Sequence, residues 1–279
     1  MTVSELLKNG TELLKKHDIE NSVNEARWIF EAVFECTREY LIFHSDDETD
    51  SVKSEKYLKK ISERANGIPV QYVIGSWDFY GETFRVGEGV LIPRPETEIL
   101  VDYALDYLKG KENPVVFDLC SGTGCIGLSV AKLRPDAKVY LFEKSDDALK
   151  YLVENKETLM CNNAEIIHGD IFSGFSSFGL PNPDLILSNP PYIETDEIPA
   201  LQSEVLIEPS MALDGGKDGL DFYRVIAKKA YHSLTEGGML ALEIGYNQGE
   251  SVTKLLNKFS KVSLFKDYGN NDRVIIAIK

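Results

Sequence analysis

Residues 116–127, VFDLCSGTGCIG, decide the fold of this 279-residue chain. An apolar run leads into a glycine turn, and the turn leads into a helical pattern. Gly122, Gly124 and Gly127 match the spacing G-x-G-x-x-G. Glu143 ends the next apolar run, where an acid can accept hydrogen bonds from ribose hydroxyls. Because the glycines also let a ligand approach the backbone, the stretch predicts a nucleotide-type site on an α/β fold.

The chain around this stretch alternates between strand and helix patterns from Pro114 onward. Such alternation predicts a mainly parallel sheet of seven strands with helices on both faces. The last run follows the turn-like residues 268–271 with no helix between, so we expect it to pair antiparallel with the preceding strand. The predicted strands are 115–119, 138–143, 164–168, 184–188, 239–244, 261–265 and 273–278, and the predicted helices are 124–133, 146–159, 219–233 and 247–259.

The residues before this region predict a small all-helical N-terminal domain, 1–66, because leucines and aromatic residues recur there at helical spacing. Residues 70–86, VQYVIGSWDFYGETFRV, are rich in aromatic and β-branched types, and we expect 67–86 to be a β-hairpin linker. The α/β domain then covers 87–279, opening with Pro-Arg-Pro at 93–95 and a helix over 96–108.

Composition limits the class of protein. The chain is 43% hydrophobic and 27% charged, as in ordinary globular proteins, and its formal net charge is −15. The acid excess extends over both halves, which disfavours nucleic acid as the main partner because duplex binding depends on phosphate neutralisation. Four cysteines without C-x-x-C pairing and four scattered histidines predict neither a zinc site nor a disulfide framework. With no signal peptide or membrane span in the sequence, we expect a soluble, cytoplasmic protein.

The ligand of the glycine loop is either a nicotinamide cofactor or S-adenosyl-L-methionine. Asp118 lies just ahead of the turn, where an acid repels a pyrophosphate but suits the ammonium group of methionine. This favours S-adenosyl-L-methionine. Asp170 and Ile171 follow the third strand of the unit, and we expect them to meet the amino group and the face of the adenine.

The motif Asn189-Pro190-Pro191-Tyr192 ends the predicted strand at 184–188. The Asn189 side-chain oxygen and the Pro190 carbonyl can accept both hydrogens of an NH₂ group, and Tyr192 offers a flat wall to a planar amide or base. An amide or aromatic amine nitrogen is a poor nucleophile because its lone pair is delocalised. Hydrogen bonds that strengthen as this nitrogen becomes cationic assist the transition state by ~1.5–3 kcal/mol each. The motif therefore predicts methyl transfer to an NH₂ group.

Taken together, these motifs make the chain resemble a known family. N-P-P-Y after D-L-x-x-G-T-G is similar to the amino-methyltransferases of the class I (Rossmann-like) fold. The segments QYVIGSWDFYG (71–81), LIPRPETE (91–98) and DYGNNDRV (267–274) resemble the release factor glutamine-N5 methyltransferases (PrmC/HemK). The helical domain and hairpin ahead of the α/β domain also match that architecture.

The resemblance implies roles for individual residues. It implies that S-adenosyl-L-methionine is bound by Asp118, by the loop Cys120, Ser121, Gly122, Thr123 and Gly124, and by Glu143, Asp170, Ile171 and Asn189. It implies that Asn189, Pro190, Pro191 and Tyr192 form the glutamine pocket and that Asn189, Pro190 and Tyr192 act in catalysis. Arg94 and Glu96 lie near the cleft by the same analogy. Cys120-Ser121 departs from the glycine and small residue that the family often carries.

The resemblance implies a substrate too, the glutamine of the Gly-Gly-Gln motif in class 1 peptide chain release factors. The N-terminal domain then recognises the protein substrate, and the long segment 193–218 forms part of the docking rim. Two alternatives stay open. One is adenine-N6 methylation of DNA or RNA, which requires base flipping and a basic channel. The other is a non-catalytic binding module on a methyltransferase fold.

Overall fold

The computed structural model describes residues 1–174 and 178–279, which form two compact units. The first, here the helical unit, comprises Met1–Trp77 and Gln202–Ile207. The second, here the sheet unit, comprises Asp78–Leu201 and Glu208–Lys279. Among the described residues, no helix is long and apolar enough to span a bilayer, and no group of His, Cys, Asp and Glu is arranged to hold a metal ion.

The helical unit is built from amphipathic helices whose apolar faces share one core. Its first helix begins with a capping box, in which Thr2 and Glu5 each accept a hydrogen bond from the other's backbone N–H. The helices are α1 (Val3–Lys16), α2 (Ser22–Phe34), α3 (Arg38–Phe43), α4 (Ser51–Ala65) and α5 (Val70–Ile74). The core includes Leu6, Leu14, Ile29, Phe30, Tyr57 and Ile61, each fully buried.

The prediction of a β-hairpin linker over 67–86 is wrong at its beginning. The hairpin consists of β1 (Ser76–Phe79) and β2 (Glu82–Arg85), whereas 70–74 is the helix α5. Pro69 precedes this helix, and Gly75 ends it with φ 90°, a left-handed conformation that glycine adopts without strain. Val70 and Val73 share one helical face and are buried in the helical unit, so packing overrides their β propensity. The division between the units falls after Trp77, inside β1.

The sheet unit contains the predicted seven-stranded sheet. In chain order its elements are α6 (Glu98–Leu108), β3 (Val115–Leu119), α7 (Cys125–Leu133), β4 (Lys138–Glu143), α8 (Asp146–Thr158), β5 (Ala164–His168), β6 (Leu185–Ser188), α9 (Ser210–Leu213), α10 (Asp221–Ser233), β7 (Met239–Glu243), α11 (Gly249–Leu255), β8 (Lys261–Lys266) and β9 (Asp272–Ile278). The strand order is β5-β4-β3-β6-β7-β9-β8. The first five of these strands are parallel, and β9 pairs antiparallel with both β7 and β8.

The strand order determines where a ligand can bind. From β3 the chain continues to β4 on one side, and later returns to β6 on the other side of β3. In open α/β sheets the crevice outside the carboxyl ends of the strands at such a reversal is the usual binding site. The sheet's two faces are both buried, because Val116 of β3 packs into one apolar cluster and Phe117 into the other. The carboxyl ends of β3, β4 and β6 thus meet at one edge of a rigid sheet.

Candidate active site

A cleft opens at this edge of the sheet. It encloses about 1020 Å³, with the open solvent at its mouth included. Most of the predicted site residues line it. They are Cys120, Ser121, Gly122, Thr123, Glu143, Asp170, Ile171, Asn189 and Pro191, whereas Asp118, Gly124, Pro190 and Tyr192 do not reach its wall.

The glycine loop turns sharply between β3 and α7. Cys120, Gly122 and Gly124 have φ of 60°, 56° and 81°, so the chain passes through the left-handed region three times within five residues. Gly124 also precedes the first turn of α7. A Cβ added at Gly122 would meet only Val90, at 3.8 Å, so the backbone there borders open space. Cys120 adopts a left-handed conformation that favours glycine.

Glu143 is held by backbone donors at the end of β4. Its Oε2 accepts from the N–H of Gly122 at 2.8 Å, and its Oε1 accepts from Lys144 at 2.8 Å and Ser145 at 2.7 Å. A carboxylate offers about four lone-pair sites, so three backbone hydrogen bonds leave capacity for another donor. The arrangement fixes the carboxylate on the cleft wall with an acceptor still available to a ligand.

Asp118 lies behind the loop instead of in the cleft. Its carboxyl is fully buried, and Oδ2 accepts from the N–H of Gly127 at 2.9 Å. Among the described residues, Oδ1 has no hydrogen-bond partner. Burial raises the pKa of Asp118 to about 7, although the hydrogen bond from Gly127 lowers it. In this position Asp118 anchors the first turn of α7 to the end of β3, and its contact with a methionine ammonium stays a prediction.

Asp170 and Ile171 stand at the cleft after β5, as predicted. The Asp170 carboxylate pairs with Lys144 at 2.9 Å and accepts from the N–H of Phe172 at 2.8 Å. Burial raises the pKa of Asp170, but the hydrogen bonds from Lys144 and Phe172 outweigh it, and the net shift is downward. The group is an ionised acceptor beside the buried apolar side chain of Ile171. The two residues therefore present an acceptor and an apolar surface side by side.

The Asn189-Pro190-Pro191-Tyr192 motif follows β6 directly. Asn189 Nδ2 donates to Thr97 Oγ1 at 3.3 Å, and Thr97 Oγ1 donates to Glu243 Oε2 at 2.6 Å. Pro190 and Pro191 are buried. Burial and the nearby Glu243, opposed by Arg273, together raise the pKa of Tyr192 to about 12, so the phenol stays protonated at neutral pH. Tyr192 therefore offers a neutral ring and not a base.

The loop after Tyr192 is held by polar and glycine contacts. Gln248 Nε2 donates to the Tyr192 carbonyl at 2.9 Å, while Gln248 Oε1 accepts from the N–H of Gly245 at 3.0 Å. A Cβ added at Gly215 would lie 2.7 Å from Tyr192 Cα, and one at Gly219 would lie 2.4 Å from the Tyr192 carbonyl oxygen. Both glycines thus allow the backbone to pack directly against the motif.

Three site residues were not singled out from the sequence, namely Thr97, Glu208 and Glu243. Glu208 is buried and pairs with Arg94, and it also accepts from the N–H of Ile92 at 3.0 Å. Glu243 is the last residue of β7, just as Glu143 is the last residue of β4. An isolated acid ending a fully apolar run was therefore the signal for Glu243. No local pattern marks Glu208 or Thr97, whose side-chain partners lie 92 to 146 positions away in the chain.

Two family models and several solved structures are similar to this chain. Residues 5–75 match the PrmC N-terminal domain, and residues 97–217 match the methyltransferase small domain. Among solved structures, the hMettl16 catalytic domain in complex with the MAT2A 3′UTR hairpin 1 aligns with a TM-score of 0.56 at 12% identity, covering 82% of this chain and 83% of that one. The T. thermophilus 16S rRNA N2 G1207 methyltransferase in complex with AdoMet and guanosine gives 0.52 at 21% identity, covering 73% and 49%.

The fold is thus that of the class I methyltransferases. Curated relatives narrow the family. A release factor glutamine methyltransferase of Fusobacterium nucleatum is 38% identical over 279 residues, 99% of this chain and 78% of that protein. One of Clostridium acetobutylicum is 35% identical over 283 residues, 100% and 99% of the two chains. The chain belongs to the release factor glutamine methyltransferase family.

Proposed function

We propose that this protein transfers a methyl group from S-adenosyl-L-methionine to the side-chain N5 of the glutamine in the Gly-Gly-Gln motif of class 1 peptide chain release factors. The observation that carries the proposal is the position of Asn189, which lines the same cleft as the glycine loop and Glu143. The names of the relatives support a release factor glutamine as the substrate.

The residues of the cleft fit S-adenosyl-L-methionine. The available lone pair of Glu143 suits a ribose hydroxyl, and the open space at Gly122 suits a ligand that lies against the backbone. Asp170 and Ile171 offer an acceptor for the adenine amino group and an apolar surface for its ring. When bound, S-adenosyl-L-methionine supplies an electrophilic methyl group on a sulfonium sulfur.

Asn189 and Pro190 provide the hydrogen-bond acceptors for the substrate amide. Asn189 lines the cleft, and Pro190 directly follows it in the chain without lining the cleft itself. In the proposed complex the Asn189 Oδ1 and the Pro190 backbone carbonyl accept the two N–H groups of the glutamine amide and hold its nitrogen in line with the methyl group. These hydrogen bonds strengthen as the nitrogen becomes positive, so they stabilise the transition state more than the bound substrate. No general base is needed, because the methylated amide nitrogen is acidic enough to lose its proton to water.

We also propose that the N-terminal helices recognise the protein substrate. The helical unit exposes several large apolar side chains, among them Ile42 at 67% and Phe43 at 82% of their surface. Both lie at the end of α3, which is a short helix with one buried residue, Leu41. Exposed apolar side chains clustered on one element are typical of protein-binding surfaces.

The test of the proposed activity is methylation of a purified class 1 release factor with labelled S-adenosyl-L-methionine, followed by peptide mass spectrometry. We expect a single methyl group on the Gly-Gly-Gln glutamine. Asn189→Ala is expected to lower kcat by at least a hundredfold, because it removes one of the two acceptors for the reacting NH₂ group. Label at another residue, or on adenine of DNA or RNA offered in parallel, would refute the substrate.

The Asn189→Ala protein also separates catalysis from binding. Its affinity for S-adenosylhomocysteine, measured by calorimetry, is expected to stay within a few-fold of the parent protein, because Glu143 and the glycine loop are unchanged. If Asn189→Ala instead left cellular methylation unchanged while abolishing complex formation with the release factor, the result would support a non-catalytic binding module.

A further inference from the structure

We propose that Thr97 and Glu243 are positioning residues that orient the side-chain amide of Asn189, with its nitrogen toward the protein and its oxygen toward the substrate. The inference rests on the proposed function, in which Asn189 Oδ1 accepts a hydrogen bond from the substrate NH₂. Its basis is a hydrogen-bonded chain of three side chains, from Asn189 Nδ2 to Thr97 Oγ1 and from Thr97 Oγ1 to Glu243 Oε2.

The direction of this chain follows from what each group can donate. An ionised carboxylate only accepts, so the Thr97 hydroxyl must give its single proton to Glu243 at 2.6 Å. Thr97 Oγ1 is then left with lone pairs alone and can only accept from its other neighbour. The neighbouring amide atom of Asn189 must therefore be the NH₂ nitrogen. Since the amide is one planar group, this contact also fixes the direction of Oδ1.

The orientation matters because the two ends of the amide have opposite hydrogen-bonding character. Rotated by 180°, Asn189 would present two N–H donors to a substrate group that itself has only N–H donors to offer. The productive acceptor would be lost and an unfavourable donor–donor contact would replace it. An isolated asparagine has little energetic preference between the two orientations, so a device that selects one has a direct effect on catalysis.

Burial and regular backbone structure protect the hydrogen bonds among Asn189, Thr97 and Glu243. Thr97 and Glu243 are both buried, with 2% and 1% of their surface exposed, so water does not compete for their hydrogen bonds. Thr97 ends the 3₁₀ turn Pro95–Thr97, and Glu243 ends β7, so each is held by regular backbone structure. The pKa of Glu243 is raised to about 7, mainly by burial. The hydrogen bond from Thr97 and the charges of Arg273 and Arg94 oppose this shift, and the charge of Glu96 adds to it. At pH 8 the carboxyl is largely ionised and acts as an acceptor.

The experiment compares Thr97→Val, which keeps the shape of the side chain but removes its hydroxyl, with Thr97→Ser, which keeps the hydroxyl. At pH 8 we expect Thr97→Val to lower kcat for release factor methylation about tenfold with KM within twofold, because the lost acceptor acts mainly in the transition state. Thr97→Ser is expected to retain kcat within about twofold of the parent. Equal loss in the two variants, or none in Thr97→Val, would overturn the proposal.

Glu243→Met provides an independent variant, because an unbranched apolar side chain fills the buried space but cannot hold the Thr97 proton. It is expected to lower kcat about tenfold as well, and the double variant with Thr97→Val is expected to lose no more than either single variant. Independent, multiplying losses would contradict a shared chain. Melting temperature and S-adenosylhomocysteine affinity, both expected to stay close to the parent, identify any variant that fails to fold.

A substrate-free measurement separates this inference from the proposed function. The side-chain NH₂ of Asn189 can be assigned in the ¹⁵N spectrum by its loss in Asn189→Ala. We expect its hydrogen exchange to be about tenfold slower in the parent than in Thr97→Val. Equal exchange rates would overturn the positioning role. Slow exchange in a protein that methylates no release factor would instead refute the proposed substrate and leave the oriented amide in place.

Discussion

At the scale of single residues, two of the buried carboxyl groups have a raised pKa, one in β3 and one at the end of β7, and β6 lies between these two strands. Asp118 near the end of β3 and Glu243 at the end of β7 both have a pKa raised to about 7 by burial. Asp118 has one oxygen bonded to Gly127 and, within the described chain, one without a partner. Ionising such a group costs folding free energy, because the low-dielectric interior solvates the charge poorly.

This cost predicts an unusual dependence of stability on pH. An aspartate in the unfolded chain has a pKa near ~3.9, so between pH 4 and pH 7 the folded protein keeps a proton that the unfolded chain has lost. The free energy of unfolding contributed by Asp118 therefore falls as pH rises through this range, by up to roughly 4 kcal/mol. Asp118→Asn removes the contribution of this carboxyl group. The free energies of unfolding in urea at pH 5 and pH 8 should therefore differ less in Asp118→Asn than in the parent protein.

Asp136→Asn is the matched control for this measurement. Asp136 is an exposed carboxylate paired with Arg134, whose hydrogen bond lowers its pKa to about 2. It is ionised in both states at pH 5 and pH 8, so its replacement should leave the difference between the two pH values unchanged. If Asp118→Asn and Asp136→Asn gave the same pH difference, Asp118 would not carry the raised pKa.

At the scale of elements, the sequence predicted the strands of the sheet well, because each strand is visible as a local pattern of apolar residues. Each predicted strand of the α/β domain appears within a few residues of its predicted position, because buried parallel strands are continuous apolar runs. The antiparallel pairing of β9 was also predicted correctly from its short connection to β8. The loop at 120–124 and the Asn189 motif were found for the same reason, since each directly follows a strand.

The parts that sequence reasoning missed depend on contacts between distant residues. Four of the five residues of α5 are β-branched or aromatic, and its place in the helical core makes it a helix. Residues 202–207 belong to the helical unit, where Arg64 is buried and pairs with both Glu25 and Glu204. The Thr97–Glu243 hydrogen bond similarly joins positions 146 residues apart. No periodicity or spacing in the sequence encodes such pairs.

The loop after the Asn189 motif yields a prediction about backbone packing. A Cβ at Gly219 would lie 2.4 Å from the Tyr192 carbonyl oxygen and 2.6 Å from Gln248 Nε2. Gly219→Ala must therefore displace the motif or break the hydrogen bond that Gln248 donates to it. We expect kcat to fall at least tenfold, because an ångström of misplacement at the reacting group is costly, while S-adenosylhomocysteine affinity is retained.

Gly237→Ala separates this steric effect from backbone strain. Gly237 has φ of 72°, close to the 66° of Gly219, but a Cβ there meets nothing within 4 Å. Both variants should lose roughly 1 kcal/mol of folding free energy from the left-handed conformation. Only Gly219→Ala should lose activity, and a parallel loss of kcat in Gly237→Ala would show that strain alone accounts for the effect.

At the scale of the whole molecule, the net charge of −15 bears on the choice of substrate. A strongly acidic protein gains little from a polyanion, whereas a protein segment is bound through shape and apolar contact. The cleft itself carries both signs, with Arg94 and Lys144 against Glu143 and Asp170. Such a balanced lining does not form the continuous basic channel that a flipped nucleotide requires. Charge and family membership therefore favour the same substrate class.

If the release factor is recognised by residues outside the cleft, a mutation at that surface should change KM and leave kcat unchanged. If the helical unit binds the release factor through α3, then Phe43→Ser should raise KM for the intact release factor about tenfold and leave kcat unchanged. A short peptide containing Gly-Gly-Gln does not reach beyond the cleft, so its kcat/KM should be the same in both proteins. Steady-state kinetics with the two substrates measure this difference directly.

The control for this last prediction comes from the same unit. Val52 on α4 is 72% exposed, comparable to Phe43, but lies on a different helix. Val52→Ser removes a similar kind of exposed apolar surface and should leave KM for the release factor unchanged. An unchanged KM in Phe43→Ser would exclude α3 from the binding surface. A loss with the peptide as well would assign Phe43 to the stability of the protein, because only binding outside the cleft discriminates between the two substrates.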